Sequence, residues 1–581
     1  MRRDPRANGR VRPVTAAPGS PRPGKRDVVA LGREGQGWAA IVLAGSAPGA
    51  RWELTADAWA AWVAEADRGG GPRWVCADAK ATAALLLAAG VRLARCHDLR
   101  LAHDILARAV PGGPVSGPAP RPRADTPGTL FELDAEGPDP GDAVEVARAW
   151  ERQERALAGA ANADRLRLLI AAESAGALVA ADMEAAGLPW DRAQHERILD
   201  AELGATDASG MPARMAQLAR DVRRALGREA LSLDSPGQVL TALQAAGVSV
   251  RSTSRGELAE HDHPVIRPLL AYKRLARLHT ANGRGWLAAW APAGRFRPEY
   301  VPAGVVTGRW ASSGGGALQI PRLLRPAVRA DPGWRIVAAD VAQLEPRVLA
   351  AMARDEAMAS AARGADLYAG LVARGVAATR AEAKVAMLGA LYGATSGDAG
   401  RLVPRLRRTF GRAMHVVDAA ARAGERGEQV STWLGRTSPE PGAAWRALQD
   451  EAAAEGAPEA VREAARRAAR EQGRFTRNFV VQGTAAEWAL AWLADLRIRL
   501  SQIPPVDPDR AAAGSGPVFS RVPHIAFFLH DEVIVHAPAE RADAAAQAVR
   551  DAAESAGRLL FGAFPLDFPL GLAVRDDAAK T

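Results

Sequence analysis

Near the C-terminal end two short apolar runs, IAFFL at 525–529 and VIV at 533–535, are separated only by His530, Asp531 and Glu532. Two strand-length runs so closely spaced read as a β-hairpin, which presents the acidic residues at its tip. A third apolar run, WRIVAAD at 334–340, ends in a carboxylate of its own, Asp340. If these strands share a sheet, Asp340 and Asp531 converge at one edge of it. Phosphoryl and nucleotidyl transfer need two divalent cations about 3.5–4 Å apart, held by carboxylates that leave coordination places for substrate phosphates. Taken singly, each Asp reads more readily as a turn or cap residue.

The stretch TRAEAKVAMLGALYG at 379–393 adds a second constraint. Thr379 as N-cap, Glu382 as its N3 partner and Gly393 as the stop predict one helix. Arg380, Lys384, Leu388 and Tyr392 recur every four residues, so they line one face of it, cationic at the N-terminal end. Positive side chains there oppose the helix dipole, whereas a triphosphate docked against them gains from both the charges and the dipole. The alternative is a solvated basic face. Lys384 is one of only five lysines among 75 basic residues. Where nearly every cation is Arg, a retained ammonium points to something a guanidinium does badly.

At 581 residues the chain exceeds what a single core supports, so several packed units are expected. Hydrophobic residues make up 48% and charged residues 24%, and no run approaches the roughly 20 apolar residues of a membrane span, so a soluble protein without a membrane partner is expected. Residues 1–26 read as a disordered basic tail without a secretory signal. The two cysteines, Cys76 and Cys96, lack a paired Cys/His spacing, which disfavours a disulfide framework or structural zinc and fits the cytoplasm. The net charge of +9 favours a polyanionic partner. Residues 27 to about 120 alternate apolar runs with Ala/Leu-rich stretches, as a small α/β domain does, with a Pro/Gly-rich linker at 111–142. From about 144 to 290 the periodicity is that of a helical arm, and 504–517 reads as a flexible loop.

Three segments in order, Asp340-Val-Ala-Gln343-Leu-Glu345-Pro-Arg347, the Arg380/Lys384/Leu388/Tyr392-Gly393 face, and His530-Asp531-Glu532, resemble the three polymerase motifs of family A DNA polymerases. Those motifs are Asp-Tyr-Ser-Gln-Ile-Glu-Leu-Arg, Arg-x3-Lys-x3-Phe-x3-Tyr-Gly and His-Asp-Glu. Thr307-Gly308-Arg309, Leu318-Gln319-Ile320-Pro321, and the Arg474, Asn478, Gln482 spacing resemble the family's flanking blocks. The resemblance covers roughly residues 165–581. It implies an α+β multi-domain fold, a right hand of palm, fingers and thumb preceded by a ribonuclease H-like α/β exonuclease-type domain. The implied bounds are 27–165 for that first domain, 166–300 for a helical thumb region, and 301–581 for palm and fingers, with the fingers inserted at about 360–470.

The same resemblance implies a template-directed DNA polymerase that adds dNTPs to a primer 3′-OH, expected to be a monomer associated with the nucleoid in the cytoplasm, with primer-template DNA as its partner. Asp340, Asp531 and the Val341 backbone carbonyl would hold two Mg2+ ions, with Mn2+ as an alternative, supported by Glu532. Arg380 and Lys384 would neutralise the triphosphate, and Lys384 would protonate the pyrophosphate, since an ammonium gives up a proton more readily than a guanidinium. Gln343, Leu388, Tyr392 and His530 complete the nucleotide site, and Glu345 against Tyr392 would exclude a ribose 2′-OH. Arg309, Gln319, Arg347, Arg474, Asn478 and Gln482 would contact DNA without specifying its sequence. Leu388 stands where the family has an aromatic residue, which weakens stacking on the nucleotide. Residues 27–165 lack the Asp-x-Glu that a proofreading nuclease places after its first strand, and Asp78-Ala-Lys80-Ala-Thr82 ends in Thr where an Asp is needed. Asp134/Glu136 and Asp182/Glu184 fall after that strand, and Asp164 has Ala160 where a Tyr would stand, so the domain is expected to be proofreading-dead. Two other readings are a single-subunit RNA polymerase-like enzyme, against which Glu345 argues, and a catalytically silent DNA-binding scaffold.

Overall fold

The computed structural model describes residues 14–15, 22–110, 141–207, 210–316, 320–364, 366–393 and 397–579. Most of the tail at 1–26, most of the linker at 111–142, the Asp134/Glu136 pair and Gln319 lie outside the described residues. Two compact units are present, one running up to Gly187 and including Glu299–Ser313 and Pro332–Arg575, the other comprising Leu188–Pro298, Gly314–Asp331 and the segment from Asp576 on.

The first unit contains two sheets. The N-terminal one is built from β1 (Val14–Thr15), β2 (Val28–Glu34), β3 (Gly37–Ala44), β4 (Ala50–Leu54), β5 (Arg73–Cys76) and β6 (Cys96–Asp98), in the order β1-β4-β3-β2-β5-β6. β2, β3 and β4 form an antiparallel meander, and β5 and β6 continue the sheet parallel to β2. Alternation sends Val29, Leu31, Trp38 and Ala40 to the face covered by helices Trp59–Asp67 and Ala79–Ala88. Ala30, Ala39 and Ile41 point the other way, against helix Ala143–Ala158. This is the α/β layer that the sequence pattern predicts.

Helix Ala163–Ala186 also belongs to the first unit, not to the helical region expected from 166. Beyond its exposed first residues it is buried almost all round, with Leu169, Ile170, Leu178 and Val179 in the core, as a core helix is. Its last turns are tied to the N-terminal domain and to the long helix Glu459–Ser501 by ion pairs. Asp182 accepts from Arg92 Nη2 at 2.7 Å and from Arg497 Nε at 2.7 Å, and Glu184 pairs with Lys80 at 2.7 Å.

The second unit contains helices Arg192–Leu203, Ala213–Leu226, Pro236–Ala245, Arg255–Ala259, Ile266–Asn282 and Arg284–Trp290, together with the two-stranded β7 (Leu188–Pro189) and β8 (Arg295–Phe296). Trp190, Trp286 and Phe296 pack their rings within 5.0–5.6 Å of one another at its base. These helices fall within the stretch of about 144–290 whose periodicity reads as helical.

In the first unit β9 (Tyr300–Val301) and β10 (Ala311–Ser312) form a small hairpin whose loop carries Thr307, Gly308 and Arg309. The second sheet has β11 (Trp334–Val341), β12 (His524–Leu529), β13 (Glu532–Pro538) and β14 (Leu570–Arg575), all antiparallel, in the order β12-β13-β11-β14. Between β11 and β12 the chain is helical. Helices Leu344–Ala353, Leu367–Ala373, Arg380–Tyr392 and Gly411–Glu425 share one core with Val480 and Val481 of helix Glu459–Ser501. At 43 residues that helix is roughly 65 Å long.

The segment 504–517 is not the flexible loop its composition suggests. Val506 N–H donates to Arg521 O at 2.9 Å, Ala512 N–H to Ser520 O at 2.8 Å, and the Trp334 indole to Arg510 O at 2.9 Å, while Val506 and Ala512 are buried. Backbone groups paired in this way hold the segment down despite its Pro, Gly and Ala content.

Candidate active site

The β11–β13 register places Asp340 directly opposite Glu532. β12 turns into β13 through His530 and Asp531, with His530 in the left-handed region at φ 55° and Asp531 N–H donating to Leu529 O at 2.7 Å. Val341 N–H then donates to Asp531 O at 2.9 Å. These ladder bonds bring the carboxylates of Asp340 and Asp531 to one end of the sheet, as the sequence predicts. Burial, reinforced by Asp340 and then by Glu532, pushes the Asp531 carboxyl up to about 6. Two half-buried carboxylates with a third acid beside them are short of positive charge and fit a cation. Among the described residues no group of three or more His, Cys, Asp or Glu stands close enough to form a metal cage.

Facing them is a cavity of about 270 Å³ lined by Arg309, Glu345, Tyr368, Leu388, Tyr392, His530 and Asp531, with Gln343 at its edge. Helix Arg380–Tyr392 forms as its capping residues require. Thr379 Oγ1 accepts from Glu382 N–H at 3.2 Å, the Glu382 carboxylate accepts from Ala378 N–H at 2.8 Å, and Gly393 ends the helix at φ 73°. Leu388 and Tyr392 reach the cavity from its last turns, and Lys384 is exposed on the preceding turn.

Arg380 lies at the N-terminal end and donates from Nε to Asp366 Oδ2 at 2.6 Å, with its guanidinium 5.5 Å over the Tyr368 ring. Gln343 sits at φ 49° and accepts from Leu367 N–H at 3.2 Å, which places it on the N-terminal turn of helix Leu367–Ala373. The two carboxylate oxygens of Glu345 are both engaged: Oε2 accepts from the Tyr392 hydroxyl at 2.9 Å, and Oε1 pairs with Arg309 Nη2. Burial and the Glu345 charge push the Tyr392 phenol up to about 12, so it remains a donor.

Arg474, Asn478 and Gln482 follow one another along helix Glu459–Ser501, Arg474 exposed and the other two half-buried. Gln482 Oε1 accepts from Thr307 Oγ1 at 2.9 Å, which joins this row to the loop that bears Arg309. Gly308 in that loop has φ 88°, and a Cβ there would lie 2.7 Å from Arg436 Nε, so only glycine fits. Arg436 is itself buried in an ion pair with Glu173.

Arg347 corrects the sequence reading. It is fully buried, and its guanidinium donates to the carbonyls of Ala342 at 2.9 Å, Ala362 at 2.8 Å, Asp567 at 3.0 Å and Gly364 at 3.1 Å. A cation so committed ties the start of helix Leu344–Ala353 to the loop after helix Glu356–Ala361 and has no exposed surface to offer a phosphate. Two site residues escaped the sequence reading, Asp366 and Tyr368. The available signal was Asp366 as a helix N-cap followed by an aromatic residue, a pattern too common to single out.

The family model for DNA polymerase family A matches residues 205–575. The chain is similar to DNA polymerase I of Chloroflexus aurantiacus, 28% identical over 368 residues, 59% of this chain and 35% of the relative. It is 26% identical over 353 residues to the thermostable DNA polymerase I of Thermus aquaticus, 56% of this chain and 37% of the relative. It is also 25% identical over 450 residues to DNA polymerase I of Geobacillus stearothermophilus, 71% of this chain and 46% of the relative. The chain thus spans less than half the length of the curated relatives it matches. Among solved structures, the POL domain of Pol1 from M. smegmatis in complex with DNA primer-template and dNTP has the same fold. The TM-score is 0.67 at 20% identity over 96% of this chain and 97% of that one.

Proposed function

The chain belongs to DNA polymerase family A, and from that premise we propose that it extends a primer 3′-OH with dNTPs under the direction of a template strand. The observation that carries the reading is the β11–β13 register, which sets Asp340 and Asp531 at one sheet end beside the cavity that Leu388 and Tyr392 line. Enzymes of this family are metal-dependent. Asp340, Asp531 and the Val341 carbonyl would hold two Mg2+ ions, or Mn2+, which when bound supply charge neutralisation at the transferring phosphoryl group. Glu532, buried beside them, supports the site's negative field.

Lys384 and Arg380 bind the triphosphate from the exposed end of their helix, and Lys384 Nζ delivers a proton to the leaving pyrophosphate. Arg380 reaches the phosphates by exchanging Asp366 for them, a swap of one charge-assisted bond for another. Glu345, fixed against Tyr392, excludes a ribose 2′-OH, and Leu388 offers the base an aliphatic contact where an aromatic one would stack. Arg474, Asn478 and Gln482 contact the duplex near the primer end without reading its sequence.

The N-terminal domain takes no part in proofreading. Among the described residues, the acids nearest the expected nuclease motifs are mostly engaged in structure. Asp78 and Asp98 cap helices Ala79–Ala88 and Leu99–Ala109, Asp182 and Glu184 are paired with Arg92, Arg497 and Lys80, and Asp164 is fully exposed on a helix end. Primer extension on a gapped template, with dNTPs and rNTPs in parallel and a 3′-labelled strand as degradation control, tests the reading. Extension with dNTPs and no release of nucleotide monophosphate is expected. A preference for rNTPs favours the RNA polymerase alternative, and 3′ degradation abolished by Asp164→Ala but not by Asp340→Ala refutes the proofreading assignment.

A further inference from the structure

Glu345 is held from two sides. It sits in the first turn of helix Leu344–Ala353 with a side chain 14% exposed. Tyr392, at the end of a second helix, takes one of its oxygens at 2.9 Å. Arg309, from the β9–β10 loop, takes the other, and its own side chain is 22% exposed. A glutamate has three rotatable bonds, and one hydrogen bond leaves it free to pivot about the Tyr392 hydroxyl. A partner on the second oxygen removes that pivot. Exclusion of a group as small as a hydroxyl needs its barrier held to within about 0.5 Å. The loop is itself rigidly seated, since Arg309 O accepts from Val305 N–H at 3.0 Å and Gly308 abuts Arg436.

We propose that Arg309 is a specificity-determining positioning residue, which selects deoxyribose over ribose by clamping the Glu345 carboxylate at the mouth of the nucleotide cavity; this rests on the DNA polymerase reading above. Arg309 also neutralises Glu345, so the gate presents bulk to the sugar without repelling the triphosphate. A residue that touched only the primer would affect every incoming nucleotide alike. A residue that acts through Glu345 affects only the comparison between the two sugars.

The test is a double-mutant cycle on the full-length protein with Arg309→Met, Arg309→Lys, Glu345→Ala and Arg309→Met/Glu345→Ala. Ternary-complex affinity on a dideoxy-terminated primer-template is measured with dCTP and with CTP opposite a template G, alongside single-nucleotide incorporation on an extendable primer. Arg309→Met is expected to lower the dCTP/CTP selectivity about tenfold, the size of coupling that contacting residues commonly show. Arg309→Lys keeps the charge and should recover part of that loss, and it carries the test should Arg309→Met fail to fold. In the Glu345→Ala background the Arg309 substitution should change selectivity no further. An unchanged ratio with equal losses for both nucleotides overturns the proposal, as do effects that multiply in the double variant. A wild-type protein that binds and incorporates neither nucleotide overturns the polymerase reading itself, an outcome distinct from wild-type activity with an unaltered ratio.

Discussion

Arg347 separates two views of one residue, and its replacement by Met tests them quantitatively. In the structure the guanidinium supplies donors to four carbonyls, those of Ala342, Ala362, Gly364 and Asp567, in an interior where the side chain is fully buried. Each buried acceptor left without a donor costs about 1–3 kcal/mol. Relief of the guanidinium's own desolvation offsets part of that sum, since taking an ion out of water costs several kcal/mol. The net destabilisation we expect is about 3–5 kcal/mol, which is what removal of one member of a satisfied buried ionic group commonly costs. With a urea m-value of about 3 kcal/mol/M, the unfolding midpoint followed by Trp fluorescence should fall by roughly 1–1.7 M. Arg347→Lys, whose single ammonium cannot span the four acceptors, should fall by an intermediate amount. Under conditions where both proteins are folded, the dependence of primer-template affinity on salt should be the same for Arg347→Met and wild type. A residue on a DNA phosphate would instead lower the slope of log affinity against log salt by about 0.9. A midpoint close to wild type together with that smaller slope would refute the structural assignment.

Asp531→Ala and Asp340→Ala should each reduce primer extension about a thousandfold or more without lowering the urea midpoint. For Asp531 the folded-state pKa of about 6 lies above the ordinary value of 3.8, so the folded protein binds its proton more tightly than the unfolded chain does. The metal-free protein should therefore lose stability as pH rises from about 4 to 6, a loss absent in Asp531→Asn, and Mn2+ affinity measured calorimetrically should weaken below pH 6 with measurable proton uptake by the buffer. Asp182→Asn, which leaves Arg92 and Arg497 facing an uncharged amide, should destabilise by about 3–5 kcal/mol, read from denaturant unfolding. Gly308→Ala should cost about 1–3 kcal/mol, read in the same way, because its backbone lies at φ 88° and its new methyl meets Arg436.

What the sequence made legible was local. The β12–β13 turn, the acidic end of β11 and the capped helix from Thr379 to Gly393 are each fixed by residues a few positions apart, so pattern alone placed them and with them Asp340, Asp531, Leu388 and Tyr392. What it did not reveal depends on residues far apart in the chain. With 75 basic residues, nearly all Arg, nothing near Arg347 distinguishes a buried tie from a DNA contact. The partner of Arg380 lies 14 positions upstream and the second partner of Glu345 lies 36 upstream. Helix Ala163–Ala186 reads as the start of a helical arm until its surroundings show that all but its N-terminal end is covered. The Pro- and Gly-rich stretch at 504–517 is held by an indole from β11, a contact that no local composition encodes.

The ties around Asp182 and Lys80 bear on how this protein can be trimmed. Arg497 donates to the carbonyls of Leu93 and Ala94 as well as to Asp182, and Lys80 donates to Tyr300 O at 2.6 Å. Cutting away the first hundred residues would take those carbonyls and that ammonium with them and lay bare Ala177, Leu178 and Ala181, which share a core with Trp38 and Trp74. The N-terminal layer therefore works as a foundation: a fragment beginning at residue 163 would keep Arg497 on Asp182 but lose its two carbonyl acceptors, leave Glu184 without Lys80 and inherit an oily flank.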